Sequence, residues 1–294
     1  MKASIIITTY HRPVFFKKAI LSCMNQKTNF PFEVIIIDDN GVNTGFQKQT
    51  EAIIPENNQV VYHPLEKNSG ACIARNKGAE IASGEYLFFL DDDDEFLPNK
   101  LEHQVNFLES NTEYNGCLAA FKRIDQHGKE IVADSNYPVV GDFKNFVLRG
   151  NFFTPMLCVR RGSFLELGGF IDIPRFQDRF FMINALKQGY KFAALQEQLH
   201  IMYEHTEDRI TSKSVDKTKA SISQIKTWIS QYKNEFSDKE WNSFLISDLR
   251  KIAVTSYNST EKSIRMSGAS YYFKIFLKTR NFSDFTMIFK SLIK

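Results

Sequence analysis

Residues 84–94 read Gly84-Glu85-Tyr86-Leu87-Phe88-Phe89-Leu90-Asp91-Asp92-Asp93-Asp94, an apolar run that ends in four successive aspartates. Tyr86–Leu90 has apolar residues at consecutive positions, the pattern of a strand buried on both faces. The aspartates cannot extend that strand into a core, because mutual repulsion and desolvation both oppose burying neighbouring carboxylates. One reading of the run is a solvated acidic loop. The other rests on its place, since open α/β sheets bind ligands beyond the carboxyl ends of their strands. There, Asp91 and Asp93 make an Asp-x-Asp pair of hard oxygen donors for Mg²⁺ or Mn²⁺. Asp93 is the expected direct ligand, and a diphosphate supplies most of the remaining oxygens.

The flanking sequence alternates short apolar runs with helical patterns, which indicates an α/β fold with a largely parallel sheet. Ser4–Thr9 is a first strand, and Pro13 opens a helix carrying Phe16, Ala19, Ile20 and Cys23 at i, i+3, i+4, i+7. Phe32–Ile37 is a second strand running into the turn Asp38-Asp39-Asn40-Gly41, and Gln59–His63 is a third. Gly70–Ile81 reads as a helix whose small face, Ala71, Ala74 and Gly78, allows close packing. Pro98 restarts a helix bearing Leu101, Val105 and Leu108. From about 115 to 212 the pattern is mixed. Leu118–Arg123 and Met156–Val159 are strands, Gly168-Gly169-Phe170 is a turn, and a helix starts near Asp178. From about 214 onward the pattern is helical. Ile222, Ile225, Ile229 and Tyr232 share a face, as do Trp241, Phe244, Leu245, Leu249 and Ile252, and finally Phe285, Ile288, Phe289 and Leu292.

Length and composition suit one large α/β domain with a smaller appendage: 294 residues, 43% hydrophobic. The net charge of +3 is too small to indicate nucleic acid. Its distribution is uneven. Ser214 to Lys294 holds 14 Lys and Arg against 7 Asp and Glu, while the preceding residues hold 23 against 27. Cys23, Cys72, Cys117 and Cys158 lie far apart among apolar or small residues, as expected of buried free thiols in a reducing cytoplasm. The apolar stretch after Met1 is too short for a signal peptide, and no run of about 18 apolar residues exists to span a membrane. Neither a GxGxxG nor a GxxxxGK[ST] pattern is present.

Five segments, in order, resemble the motifs of family-2 glycosyltransferases. Ser4-Ile-Ile-Ile-Thr-Thr-Tyr-His-Arg-Pro13 is similar to the family's opening strand, and Val34–Asn40 to its second strand with an acidic end. Gly70 to Asn76, ending Ala74-Arg75-Asn76, with Gly78 following, resembles the Gly…Ala-Arg-Asn…Gly segment. Gly84–Asp94 is similar to the Asp-x-Asp strand. Gly168-Gly169-Phe170 with Asp178 resembles the acceptor-side motif. The resemblance spans roughly residues 4–210. It implies a GT-A fold: a Rossmann-like, mostly parallel sheet flanked by helices, here with a C-terminal helical extension. The expected division is a catalytic domain at 1–212, with a nucleotide-sugar half at about 1–100 and an acceptor half at 101–212, then a basic helical region at 213–294.

The activity implied is transfer of a sugar, with inversion and metal dependence, from a nucleoside diphosphate sugar. The expected donor is a UDP-sugar, and the acceptor is a hydroxyl of a saccharide or lipid-linked saccharide in cell-surface polysaccharide synthesis. By resemblance, Thr8 and Tyr10 line the base and ribose, and Asp38 or Asp39 accepts the uracil imide N–H, although both also suit plain turn chemistry. Arg75 is the partner of the diphosphate or of the acidic cluster, its alternative being a surface arginine. Asp92 joins Asp91 in the nucleotide-sugar site. Asp178 is the implied general base, with helix capping as its alternative. The family's Glu-Asp is here Gln177-Asp178, which bears on the acceptor contact. His205 stands where relatives place a histidine near metal or diphosphate, and a loop histidine is the alternative. The competing functions are a sugar nucleotidyltransferase and a non-catalytic member of a polysaccharide-assembly complex. The basic tail either packs on the body or a second subunit, or lies on the cytoplasmic membrane surface through Lys274, Lys278, Arg280, Lys290 and Lys294 with Phe273, Phe276, Phe285 and Phe289.

Overall fold

A computed structural model of the chain describes residues 1–204 and 214–293. These fall into two compact units, the first made of Met1–Asp172 and Gln177–Glu204, the second of Ile173–Phe176 with the described residues from 214 onward. Residues 173–176, expected within the first domain, thus group with the C-terminal helices.

In the first unit, β1 (Ala3–Thr9), α1 (Pro13–Met24), β2 (Phe32–Asp38), α2 (Gly45–Glu51), β3 (Val60–Pro64), α3 (Ala71–Ile81) and β4 (Tyr86–Asp91) build a parallel half-sheet in the order β3-β2-β1-β4. Ile5, Ile7, Val34, Ile36, Phe88 and Leu90 form its inner face with Phe16, Ala19 and Ile20 of α1. On the other face α3 lies close against the sheet at Gly78, where a Cβ atom would come within 2.4 Å of Ile6. That contact explains the glycine in the small helical face.

The remaining elements are β5 (Glu95–Phe96), α4 (Lys100–Ser110), β6 (Gly116–Ile124), β7 (Glu130–Ile131), α5 (Phe143–Arg149), β8 (Leu157–Arg160), α6 (Arg161–Glu166), α7 (Gln177–Lys187) and β9 (Phe192–Tyr203). They continue the sheet as β4-β8-β6-β9-β5, with β7 on β6. Here the sheet turns mixed. β8 is antiparallel to β4 and β6, whereas β9 is parallel to β6 across two register shifts. The fold is α/β of GT-A type, as expected.

The second unit is helical: α8 (Val215–Ser230), α9 (Asp238–Tyr257), α10 (Lys262–Thr279) and α11 (Phe282–Ile293). Ser237 caps α9 reciprocally with Glu240, which satisfies two backbone donors at that end. Val215, Ile222 and Ile252 make one small core; Ala253, Tyr272 and Ile275 make another, with Met287 and Ile288 packed on it. All four cysteines are buried free thiols. Among the described residues no helix is long and apolar enough to cross a membrane.

Candidate active site

Parallel pairing brings three strand ends together. Thr8 of β1 lies opposite Asp91 of β4, and Thr9 lies opposite Asp38 of β2. His11 N donates to Asn40 Oδ1 at 2.8 Å, and Asp39 N donates to Thr9 O at 3.0 Å, so the loops leaving β1 and β2 are joined.

The four aspartates that end β4 and follow it divide by parity. Asp92 and Asp94 are buried and hold neighbouring strands. Asp92 Oδ2 accepts from Thr9 Oγ1 at 2.9 Å and from Tyr10 N at 3.3 Å. Asp94 Oδ1 accepts from Tyr203 N at 3.1 Å, fastening the end of β9, while Asp94 N donates to Asp91 O at 3.2 Å and closes the turn. Asp91 and Asp93 take arginines instead: Arg75 Nη2 to Asp91 Oδ1 and Arg12 Nη1 to Asp93 Oδ2, each at 2.5 Å. Arg12 Nη1 also stands 3.6 Å from Asp92 Oδ1. Burial, reinforced by Asp93 and opposed by Thr9 and Arg12, pushes Asp92 up to about 7.

Asp38 and Asp39 are both buried, yet they differ in what they hold. Asp38 Oδ1 accepts from Asn40 N and Nδ2 at 2.9 and 2.7 Å, and Oδ2 accepts from Tyr62 OH at 2.8 Å. That is a turn locked within β2 and β3. Asp39 reaches the loop before α3, accepting from Ser69 N at 2.6 Å and, on its other oxygen, from Gly70 N and Asn68 Nδ2, both at 2.9 Å. A carboxylate has about four acceptor sites, so Asp39 Oδ1 keeps capacity for a further donor. Burial raises both pKa values against these hydrogen bonds.

The Ala74-Arg75-Asn76 segment of α3 works in two directions. Asn76 brackets the glycine turn, with Phe170 N donating to its Oδ1 at 2.9 Å and its Nδ2 donating to Phe170 O at 2.8 Å. Gly169 must be glycine twice over: its φ is +67°, and a Cβ atom would stand 2.5 Å from Asn76 Oδ1. The Arg75 guanidinium lies 5.9 Å from the Phe170 ring. Burial works against its charge, but Asp91 outweighs that and leaves its pKa raised. Only Nη2 is used. Nε and Nη1 are buried without a hydrogen-bond partner among the described residues.

Asp178 lies in the first turn of α7 and accepts from Arg179 N at 2.7 Å. Burial pushes its pKa up to about 6; Arg179 N and Arg75 oppose the rise and Asp91 adds to it. Asp178 therefore shares one electrostatic environment with Arg75 and Asp91. Tyr10 is half-buried and stacks on His11 at 3.8 Å, which in turn stacks on Phe46 at 4.1 Å. Thr8 is half-buried beside them. His205 lies outside the described residues.

Of the expected residues, Thr8, Tyr10, Asp38, Asp39, Asp91, Asp92 and Asp93 thus stand at or beside the joined ends of β1, β2 and β4, and Arg75 and Asp178 come to Asp91. Sequence reasoning missed Arg12 and Asn76. The available signal for Arg12 was a cation just after β1, next to the acidic end of β4 once the two strands pair.

Divalent metal suits this donor set in kind. Asp91 and Asp93 are hard oxygen donors, and the described contacts use one oxygen of each. They do not suffice alone. Among the described residues no group of three or more metal-ligating side chains occurs, whereas Mg²⁺ or Mn²⁺ takes about six oxygens, so a diphosphate or water must supply the others.

The family model for glycosyl transferase family 2 matches residues 4–177. The chain belongs to that family. It is 27% identical to an uncharacterized glycosyltransferase of Haemophilus influenzae, over 99% of this chain and 95% of that protein. It is 29% identical to TuaG of Bacillus subtilis, described as a putative teichuronic acid biosynthesis glycosyltransferase, over 76% of this chain and 85% of that protein. The fold is similar to S. aureus TarS in complex with UDP-GlcNAc, with TM-score 0.59 and 17% identity, covering 99% of this chain and 80% of that one.

Proposed function

We propose that this family-2 glycosyltransferase moves a sugar from a UDP-sugar to a hydroxyl of a saccharide or lipid-linked saccharide acceptor, inverting the anomeric centre, in cell-surface polysaccharide synthesis. The observation that carries the nucleotide part is Arg75, a buried guanidinium beside Asp91 with Nε and Nη1 unpartnered. Orphaned buried donors are rare and costly, and a diphosphate supplies the anionic oxygens they lack. Thr8 and the Tyr10 face opposite His11 receive the base and ribose. Asp39, with its spare acceptor capacity and its hold on the loop at 68–70, takes the uracil imide N–H; Asp38 is kept by Asn40 and Tyr62. Asp92 holds the end of β1 in register beneath the nucleotide. TuaG and the UDP-GlcNAc complex of TarS support this donor and pathway class.

Asp178 is the general base. It removes the acceptor hydroxyl proton as that oxygen attacks the anomeric carbon opposite the diphosphate, and a pKa near 6 keeps it ionised but basic at neutral pH. A single displacement of this kind inverts the centre. Asp93 and Asp91 would hold Mg²⁺ or Mn²⁺ with the diphosphate; the ion would supply stabilisation of charge on the leaving diphosphate. Arg75 neutralises the same charge. Arg12, now on Asp93 Oδ2, would share that carboxylate with the ion. The test is a donor-hydrolysis screen over a panel of nucleotide-sugars with Mn²⁺. Release of UDP from one UDP-sugar supports the reading, and no turnover of any donor by folded protein favours a non-catalytic member of an assembly complex.

A further inference from the structure

Helix α11 reverses the usual placement of residues. Its buried positions are the polar Asp284 and Ser291, while Phe282 is 73% exposed, Phe289 51% and Ile293 84%. The inward stripe, Asp284, Met287, Ile288 and Ser291 at i, i+3, i+4, i+7, is already satisfied. Asp284 takes both of its oxygens to Arg250 Nη2 at 2.8 Å, and Met287 and Ile288 pack on Ala253, Tyr272 and Ile275. The outward stripe runs Phe282, Phe285, Phe289 and Leu292, its phenylalanines in ring contact at 5.2–6.0 Å. Phe276 of α10 joins it, 5.1 Å from Phe285. A helix apolar on both sides belongs in an interior, and this one has a covered side and an uncovered side.

Charge identifies the cover. From 262 to 293 the cations are Lys262, Arg265, Lys274, Lys278, Arg280 and Lys290, and the only acid is Asp284, which is buried against Arg250. Lys274 and Lys278 are exposed beside the exposed Phe273 and Leu277, and Arg280 and Phe282 form the exposed corner between the helices. A second copy of this hairpin would bring like charges together. An anionic lipid surface instead takes the aromatic stripe into its acyl boundary and the ammonium and guanidinium groups among its headgroups.

We infer that α10 and α11 form a docking surface for an anionic membrane, lying on it and not crossing it. The inference is independent of the proposed transfer reaction. The test uses the full chain and co-sedimentation with vesicles of phosphatidylglycerol and phosphatidylcholine, or of phosphatidylcholine alone, at low and high salt. The full chain should bind the anionic vesicles at low salt and leave them at high salt or without phosphatidylglycerol. The double variants Phe282→Ser/Phe289→Ser and Lys274→Glu/Lys278→Glu should each lower the partition coefficient about tenfold or more, with unchanged circular dichroism and UDP binding. No binding by the parent chain, or equal binding by folded variants, overturns the inference. So does a parent dimer that the phenylalanine variant dissociates in the absence of lipid binding, which would assign the face to a second copy.

Discussion

The acidic turn of the first unit and the α10–α11 hairpin of the second depart from ordinary folding in opposite senses. The turn buries charge: Asp92, Asp94 and Arg75 are all interior, and two Arg75 donors stay unpartnered. The hairpin exposes hydrocarbon while its one acid is interior. Each arrangement costs stability in an isolated chain, the first through desolvation and the second through apolar hydration. In the readings proposed above, an anionic, oxygen-rich ligand completes the turn and an anionic, apolar-backed surface completes the hairpin. The common lesson is that an energetic defect is informative when its type is specified.

Removal of divalent metal should be felt most strongly at the acidic turn. Chelation should bring turnover to background, and Mn²⁺ or Mg²⁺ should restore it in the parent chain but not in Asp93→Asn. Steady-state kinetics with and without chelator check this, and full activity in excess chelator removes the ion from the account.

Next in size is the base. Asp178→Asn should lose about 10² or more in kcat while holding UDP affinity within a few-fold, read from kinetics and calorimetry side by side. Near-normal kcat in a folded variant would move the role elsewhere.

A smaller effect follows from pH. With its pKa near 6, Asp178 is ionised above and protonated below, so kcat/KM should rise with pH and level off above about 7, being roughly tenfold down at pH 5. The sign for stability is opposite. A carboxyl whose folded pKa is raised destabilises the fold once ionised, and that loss sets in as pH rises from the unfolded value of 3.8 through about 6. Asp178→Asn should therefore melt above the parent at pH 8, with the gap closing by pH 4. A gap of constant size would place the carboxyl in water.

A weaker response is expected at Arg12. Arg12→Ala should bind Mn²⁺ a few-fold more tightly than the parent without nucleotide, since the ion no longer competes with a guanidinium for Asp93. Electron paramagnetic resonance of free Mn²⁺ reads this directly, and weaker binding would make Arg12 a support of the site.

Much of this was legible in the residues. Consecutive apolar positions in Ser4–Thr9, Phe32–Ile37 and Tyr86–Leu90 are enough to expect buried parallel strands, and Asp91-x-Asp93 follows from their ends. The split of labour between Asp92 and Asp91 was not legible, because it depends on Thr9 lying across the β1–β4 pairing. The strand β9 was missed because Gln196-Glu197-Gln198 interrupts its apolar pattern where its pairing with β6 shifts register. Nothing in the spacing of Leu101, Val105 and Leu108 marks Lys100 of α4 for the interior, where it is wholly buried, with Nζ on Gln104 Oε1 at 2.6 Å and over the Phe96 ring at 4.9 Å. The α11 pattern Phe285, Ile288, Phe289 and Leu292 reads as one apolar face; the structure turns Ile288 inward and Phe289 and Leu292 outward. Spacing alone cannot say which side of a nearly all-apolar helix is covered.

Calorimetry of UDP against uridine, both in chelator, reads whether the unpartnered donors of Arg75 receive a diphosphate. With metal excluded, the parent chain should bind UDP at least about tenfold more tightly than uridine, and Arg75→Gln should erase that difference while uridine affinity stays within a few-fold. Equal affinity of the parent chain for UDP and uridine would mean that Arg75 does not receive the diphosphate.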